Sequence, residues 1–315
     1  MGTSCLGWGL VVAVGLAGGA ETRANVEPPS TRALAAEWSE IRLREARELT
    51  VRGEFEAAAR IYIEVWTLAN AMDRGVVERT YCAVGLRWLS AKDAGAWRAA
   101  RDFRDRLAPD ISPARLEALD WSGQQRDITR WFELNEMAAD DEAVVAWVRT
   151  LMEAPSGREL ARKAFVLREK LWAARAWTEL AWLYGTGAGA IAETTRLLES
   201  VGTRLPLGDR AESVALSTFA ALAARPTVVV LRARIVAAYR GAGNEAEAQA
   251  ALAAIRLADP TPTALTGVVS VLLEAGLARS EDAALLDEAE RGGLDVAVFR
   301  EALAEALKAA EASKP

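Results

Sequence analysis

Apolar residues recur at intervals of three and four positions through most of the chain after residue 32, with polar residues between them. This spacing places apolar side chains on one face of an α-helix and leaves the other face polar. No segment shows the sustained alternation of apolar and polar residues that is typical of a β-strand. The β-branched run 227–231 leads directly into a helical pattern, so it predicts the start of a helix. The pattern predicts an all-α protein.

Prolines and capping residues divide this pattern into helices of ordinary length. Ser112-Pro113 and Thr261-Pro262 each fit an N-cap residue followed by a proline in the first turn. Residues 156–159 have the spacing of a capping box. The predicted helices come in pairs joined by short turns, which is a reason to look for internal repeats.

The clearest repeat unit covers residues 229–260. A helix with an aromatic residue near its end is followed by a tight turn, a second helix with a small residue where the helices cross, and a terminal proline. These positions are Tyr239, Gly243-Asn244, Ala248 and Pro260, and Leu252 and Ile255 are expected to face inward. Glycine permits the tight turn, and alanine permits two helix backbones to approach closely.

This unit resembles a tetratricopeptide repeat. Further segments match the family less closely. One copy covers residues 39–70 and has matching residues at Ala46, Leu49, Gly53, Phe55, Ala58 and Tyr62. The family's W-x2-L-[GA]-x2-Y phrase is matched by Trp177, Leu180, Ala181 and Tyr184. A weaker match to the same phrase consists of Tyr81, Val84, Gly85 and Trp88. Residues 263–290 resemble a degenerate copy with Gly276 at the turn. The copies are unevenly spaced, and residues 109–155 match only as helices.

The resemblance implies a right-handed α-solenoid of antiparallel helix pairs over residues 33–312. Its last helix, residues 296–312, has Phe299, Leu303, Leu307 and Ala310 on one side and charged residues on the other. A repeat array needs an end helix with a polar outer face, and this helix suits that role.

Composition narrows the chemistry. The 315 residues are 51% hydrophobic and carry 38 Lys+Arg against 44 Asp+Glu, for a net charge of −6. A mildly acidic chain has no global attraction for nucleic acid or an anionic membrane. There is no histidine, so His-based catalysis, zinc sites with His ligands and His pH switches are excluded. The two cysteines, Cys5 and Cys82, form no CxxC unit.

The N-terminal segment differs from the rest of the chain. Residues 2–20 are uncharged, and an apolar stretch ends in small residues before a polar linker over residues 21–32. The pattern predicts a secretory signal peptide over residues 1–20, cleaved near Ala20, and a periplasmic or extracellular protein. The segment lacks the usual Lys or Arg at its start, so an uncleaved membrane anchor and a misplaced start remain alternatives. Any membrane contact is expected through this segment alone.

No motif predicts a catalytic centre, a metal site or a cofactor. The glycine-rich loop 185–189 lacks the spacing of a phosphate-binding loop and follows a predicted helix, so it is interpreted as an inter-helix turn. The acidic run 140–142 is interpreted as a helix N-terminus, where carboxylates favourably meet the helix dipole. Most of the eleven tryptophans fall at helical spacing among aliphatic residues, which favours a role in core packing.

The resemblance also implies where a partner would bind. In tetratricopeptide proteins the concave surface comes from the first helix of each pair. Carried over to this chain, that surface contains the candidate binding residues Arg47, Arg79, Arg175, Trp182 and Arg240. Arginine grips carboxylates in bidentate fashion and Trp anchors interfaces, although arginines this numerous can also simply solvate helices.

The sequence therefore predicts an exported helical-repeat protein that binds a peptide segment or partner protein in a concave groove. A structural subunit of a cell-envelope assembly is the alternative, with the convex face or helix edges used instead. An enzyme on a helical scaffold would need a convergent set of ionisable residues, and none is evident in the sequence.

Overall fold

The computed structural model describes residues 32–71, 76–164, 166–203 and 210–312. The predicted signal peptide and nearly all of the predicted linker lie outside these residues. Within them the chain is all-helical and no strand occurs, which confirms the prediction of an all-α protein. The helices are α1 (Arg32–Val51), α2 (Phe55–Ala71), α3 (Val76–Ser90), α4 (Ala94–Leu107), α5 (Pro113–Glu117), α6 (Trp121–Met137), α7 (Asp141–Met152), α8 (Gly157–Arg162), α9 (Leu167–Ala173), α10 (Trp177–Tyr184), α11 (Gly187–Thr203), α12 (Arg210–Gly241), α13 (Glu245–Ala258), α14 (Pro262–Ala275), α15 (Ala283–Arg291) and α16 (Ala297–Ala312).

Side-chain caps set several helix starts. Asp93, Asp120, Asp140 and Asn244 each accept a hydrogen bond from the backbone N–H three residues later, which satisfies a donor that the helix itself cannot pair. The acidic run 140–142 is therefore a helix N-terminus, as predicted. The capping box predicted at residues 156–159 is wrong, because Ser156 has a helical backbone and makes no side-chain cap.

Glycines end three of the helices in the way the repeat pattern predicts. Gly53, Gly243 and Gly276 have φ of +78°, +74° and +71°, a left-handed conformation that other residues adopt only at a cost. The first two lie in the turns α1–α2 and α12–α13, and Gly276 caps the C-terminus of α14.

One predicted boundary is wrong. Helix α12 runs without a break from Arg210 to Gly241 and contains Pro226, so residues 227–231 are helix interior and not a helix start. A proline removes one backbone hydrogen bond of a helix at a cost of about 3 kcal/mol. The half of α12 that follows Pro226 has its core-facing residues Val229, Ala233 and Val236 buried, which offsets such a loss.

Two hydrophobic clusters form the core. The first joins α1, α2, α3 and α4 to the end of α6, and the second extends from the α5 region to α16. Neighbouring helices pack together, and many also pack on the next helix but one: α2 on α4, α10 on α12, α11 on α13, and α12 on α14. The residues predicted to face inward in the 229–260 unit, Tyr239, Ala248, Leu252 and Ile255, are all buried.

The last described helix, α16, packs against α14 and α15. Its predicted inward residue Leu303 is buried, Phe299 and Leu307 are half-buried, and Ala310 is exposed. On its outer side, Arg300 pairs with Asp287 at 2.6 Å and with Glu290 at 2.8 Å. None of the described helices combines the length and apolarity needed to cross a lipid bilayer.

Candidate functional site

Helix α3 has two apolar faces, and only one of them is covered. Cys82, Ala83, Leu86 and Leu89 are buried in the first core cluster. On another side of the helix, Val77, Tyr81, Val84 and Trp88 are 78%, 42%, 59% and 49% exposed. We call these four residues the α3 stripe. Large apolar side chains that share one side of a helix and remain in water are a recognised mark of an interaction site.

This arrangement corrects the sequence-based interpretation of α3. The repeat pattern predicted Tyr81, Val84 and Trp88 as packing residues, and all three are exposed. Both faces of α3 have helical spacing, so the pattern alone could not decide which one the neighbouring helices cover. The contacts of α3 with α2, α4 and α6 bury the face that contains Cys82 and Leu86.

Three residues of the α3 stripe, Tyr81, Val84 and Trp88, line a groove between α1 and α3. The groove has a volume of about 260 Å³ and is lined by Thr50 of α1, Tyr62 of α2, and Tyr81, Val84, Gly85, Trp88 and Leu89 of α3. We call it the α1–α3 groove. The ring centroid of Tyr62 lies 6.2 Å from that of Tyr81, and the ring of Phe55 meets Trp88 edge-on at 6.0 Å. The walls of the groove are therefore largely aromatic.

Gly85 allows Tyr62 to close the floor of this groove. A Cβ atom at position 85 would lie 2.9 Å from Cζ of Tyr62, closer than such atoms approach in proteins. Burial, and then the neighbouring Tyr81, raise the pKa of the Tyr62 hydroxyl well above its usual range, so the floor remains uncharged. Burial also raises the pKa of the Cys82 thiol to about 12, so Cys82 is protonated at neutral pH and unsuited to nucleophilic chemistry.

A cation lies over each aromatic side chain of the groove rim. The Arg47 guanidinium carbon is 5.6 Å from the ring centre of Tyr81, and Lys92 Nζ is 5.8 Å from that of Trp88. Within the described part of the chain, neither cation is paired with a carboxylate. The nearby arginines Arg42, Arg52, Arg60, Arg79 and Arg87 all have carboxylate partners.

Of the five predicted binding residues, only Arg47 lies at this groove. Arg79 is on α3 but is mostly buried, and its Nε lies 3.0 Å from Oε2 of Glu133 on α6. Burial raises the pKa of Glu133 despite the opposing effect of Arg79. Arg79 therefore joins α3 to α6, and little of its side chain is accessible to a partner.

Arg240 is not accessible to a partner at all. Its side chain and that of Asp282 are each 2% exposed, and their charged groups are 2.7 Å apart. Asp282 also accepts a hydrogen bond from the backbone N–H of Arg279. The expectation that Arg240 faces a groove is therefore corrected: it anchors α12 to the loop before α15.

The other two predicted residues lie in the C-terminal half. Arg175 is exposed in the turn between α9 and α10, with a φ of +52°. Trp182 of α10 is half-buried beneath Arg158, whose guanidinium carbon is 5.5 Å from the ring centre. All five predicted residues are described, and no hydrogen bond or ion pair joins any two of them. Arg47 and Arg79 lie on α1 and α3, whereas Arg175, Trp182 and Arg240 lie between α9 and the end of α12.

The tryptophans divide between packing and exposure. Trp38, Trp66 and Trp147 are buried, as predicted. Trp88, Trp97 and Trp121 are exposed, and a cation covers each ring: Lys92, Arg101 and Lys163 respectively. Helical spacing could not separate these groups, because an exposed stripe and a core stripe have the same period.

Two other kinds of site, a phosphate-binding loop and a metal site, can be compared with the described residues. Only residues 185–186 form the turn between α10 and α11, and residues 187–189 begin α11, where the backbone N–H of Gly187 donates to the Glu247 carboxylate at 2.7 Å. A carboxylate therefore already occupies that donor. In the described ranges, no group of three or more His, Cys, Asp or Glu side chains is arranged to hold a metal ion.

No family model, curated protein or solved structure matches this chain. The similarity to tetratricopeptide repeats therefore depends on the residues themselves, chiefly those of the 229–260 unit.

Proposed function

We propose that this chain is a helical-repeat interaction protein that holds a segment of another protein in the α1–α3 groove. In this proposal its helix pairs form a right-handed α-solenoid of the tetratricopeptide type, closed at the C-terminal end by α16. The predicted export signal at residues 1–20 would place the groove outside the cytoplasm.

The packing of alternate helices supports the solenoid. In the C-terminal half, α10, α12, α14 and α16 pack on one another in succession, and α11 packs on α13. In the N-terminal half, α2 packs on α4 and α3 packs on α6. Contacts between neighbours and next neighbours are what a repeat array requires, because each unit buries its apolar face only against the units beside it.

The exposed α3 stripe is the observation that carries the binding proposal. Aromatic side chains such as Trp and Tyr dominate the energetics of protein interfaces when a partner removes them from water. Burial of apolar surface is worth about 25 cal/mol per Å², so covering Tyr81, Val84 and Trp88 would supply a favourable term to an association. The groove beside them provides a concave surface for the partner.

The experiment is a selection of peptides on the whole protein. A display library of random 16-residue peptides would be selected on the wild-type chain and on the variant Tyr81→Ser/Trp88→Ser. The matched control is Trp121→Ser, which removes another exposed tryptophan far along the chain from α3. Circular dichroism would establish that all three proteins are equally helical.

We expect peptides that bind wild type and the Trp121 variant but not the α3 variant. Loss of a hot-spot residue typically costs about 2 kcal/mol, or roughly thirtyfold in affinity. A selection that enriches no peptide dependent on Tyr81 and Trp88 would contradict the proposed groove. In that case the structural-subunit alternative, with contacts through other surfaces, becomes the better explanation.

A further inference from the structure

We infer that the occupant of the α1–α3 groove is an amphipathic α-helix with an aliphatic seam and acidic residues flanking it. This inference depends on the proposed function and deepens it, because it specifies the chemistry of the partner. It follows from the spacing of the exposed residues and from the charges at the groove rim.

The spacing of the α3 stripe indicates a helical partner. The intervals from Val77 to Tyr81, Val84 and Trp88 are four, three and four residues, which is the a/d spacing of a coiled-coil seam. Such a seam accepts knobs from a second helix that lies along it, and helix-in-groove recognition uses the same spacing in the bound helix. The stripe is about 16 Å long at 1.5 Å per residue, which matches roughly three turns of a partner helix.

The rim charges indicate acidic flanks on that partner. Arg47 and Lys92 are both exposed, and each lies over an aromatic ring of the groove without a carboxylate partner among the described residues. The chain is acidic overall, and most arginines of the N-terminal helices have an internal carboxylate partner. Two uncommitted cations beside an apolar groove are therefore complementary to Asp or Glu on either side of an apolar seam.

The acidic side chains near α3 do not cancel this complementarity. Glu78 lies one helical turn before the buried Cys82, and its charge adds to the effect of burial in raising the pKa of that thiol. Glu136 and Asp141 are engaged by Arg87. The Thr50 and Tyr62 side chains that line the groove are uncharged.

The first test is the composition of the peptides selected in the experiment above. We expect the groove-dependent peptides to carry aliphatic or aromatic residues at helical spacing, to contain an excess of Asp and Glu, and to become helical when bound. Enriched peptides with basic flanks, or with no helical pattern, would overturn the inference while leaving the groove itself supported. If no groove-dependent peptide appears, the proposed function fails and the inference fails with it.

The second test reverses the charges. One selected peptide would be measured by fluorescence anisotropy against wild type and Arg47→Glu/Lys92→Glu, beside a copy of the peptide with Lys in place of its Asp and Glu. An exposed ion pair is worth up to about fivefold in affinity and a like-charge contact costs a similar amount, so reversing both cations predicts a loss of roughly tenfold for the acidic peptide. The Lys peptide should regain affinity on the reversed protein. The matched control is Arg98→Glu/Arg106→Glu, which reverses two exposed cations of α4 and should change affinity less than twofold.

Equal weakening by both charge variants, or no rescue by the Lys peptide, would contradict a specific role for Arg47 and Lys92. Sedimentation of the free protein supplies a further check. If wild type forms a dimer that Trp88→Asp dissociates, a second copy of the chain covers the stripe, and the acidic-helix inference is overturned.

Discussion

Helices α3 and α10 contain the same short pattern of residues, yet they place it in opposite surroundings. On α10, Leu180, Ala181 and Tyr184 are buried. On α3, the corresponding Val84 and Trp88 are exposed, and Gly85 is half-buried against Tyr62. The pattern fixes which side of a helix is apolar, whereas the neighbouring helices decide whether that side is covered.

The difference arises from what surrounds each helix. Helix α10 contacts α7, α8, α9, α11 and α12, so the face with Leu180 and Tyr184 is enclosed. Helix α3 contacts α2, α4 and α6, and these bury its other face. The first region is therefore a packed core, and the second presents an apolar surface to a partner.

The charged residues of the two regions differ in the same way. In the C-terminal half, Arg240 and Asp282 pair within the core, each about 2% exposed. In the N-terminal half, Arg47 and Lys92 are exposed over aromatic rings and have no carboxylate partner in the described part of the chain. A buried pair contributes to one defined packing, whereas exposed cations are available to another molecule.

The largest expected effect comes from breaking the buried pair. Asp282→Ala would leave the Arg240 charge uncompensated in the core and remove the acceptor of the Arg279 N–H. Breaking a buried ion pair from one side costs about 3–5 kcal/mol. We expect a loss of that size in the free energy of unfolding, measured by urea denaturation. Asp287→Ala, which removes an exposed partner of Arg300, should cost less than about 1 kcal/mol. A loss for Asp282→Ala as small as that expected for Asp287→Ala would show that the Arg240 pair contributes little to stability.

A direct test of the comparison uses the matching positions of the two helices. Leu180→Ala should destabilise the protein by about 2–5 kcal/mol, because it removes a fully buried side chain. Val84→Ala should change stability by about 0.5 kcal/mol or less, because Val84 is already in water. Thermal and urea denaturation of both variants would measure the difference. A comparable loss for Val84→Ala would mean that the α3 stripe is covered in the free protein.

The smallest effect concerns the charged network that joins the two regions. Asp141 pairs with Arg87 of α3 at 2.8 Å and with Lys170 of α9 at 3.2 Å, and Glu136 also contacts both cations. Burial acts to raise the pKa of Asp141, but the Arg87 hydrogen bond and the Lys170 charge oppose it, and the net shift is downward.

A lowered folded-state pKa gives this carboxylate a stabilising contribution above its unfolded pKa of about 3.9. That contribution is lost as the pH falls through the folded-state pKa. Since Arg87 and Asp141 are each about one-third exposed, solvent screening limits it to roughly 1 kcal/mol. Asp141→Asn should therefore be less stable than wild type at pH 7, and the difference should shrink as the pH falls below the unfolded pKa of about 3.9. A difference that stays constant with pH would rule out this contribution.

Much of the fold follows from local sequence signals. The helical period, the turns at Gly53 and Gly243-Asn244, and the helix N-terminus at residues 140–142 are short-range features, so the sequence predicted them. The inward positions of the 229–260 unit were also predicted, because Tyr239, Ala248 and Leu252 lie on one clear apolar face. The continuation of α12 through Pro226 was not predicted. Proline locally favours a break in a helix, whereas the packing of α12 against its neighbours favours a continuous helix.

The candidate site depended on the tertiary structure. From sequence, Arg47 and Arg240 were equal candidates for a groove, because the family resemblance placed both on the first helix of a pair. The structure buries Arg240 against Asp282, a residue 42 positions away, and leaves Arg47 exposed over Tyr81. The sequence by itself determined which residues share a helix face, because that depends on the period of one helix. Which faces are covered depends on residues far apart in the chain, so only the tertiary structure decided that α3 keeps Tyr81, Val84 and Trp88 in solvent.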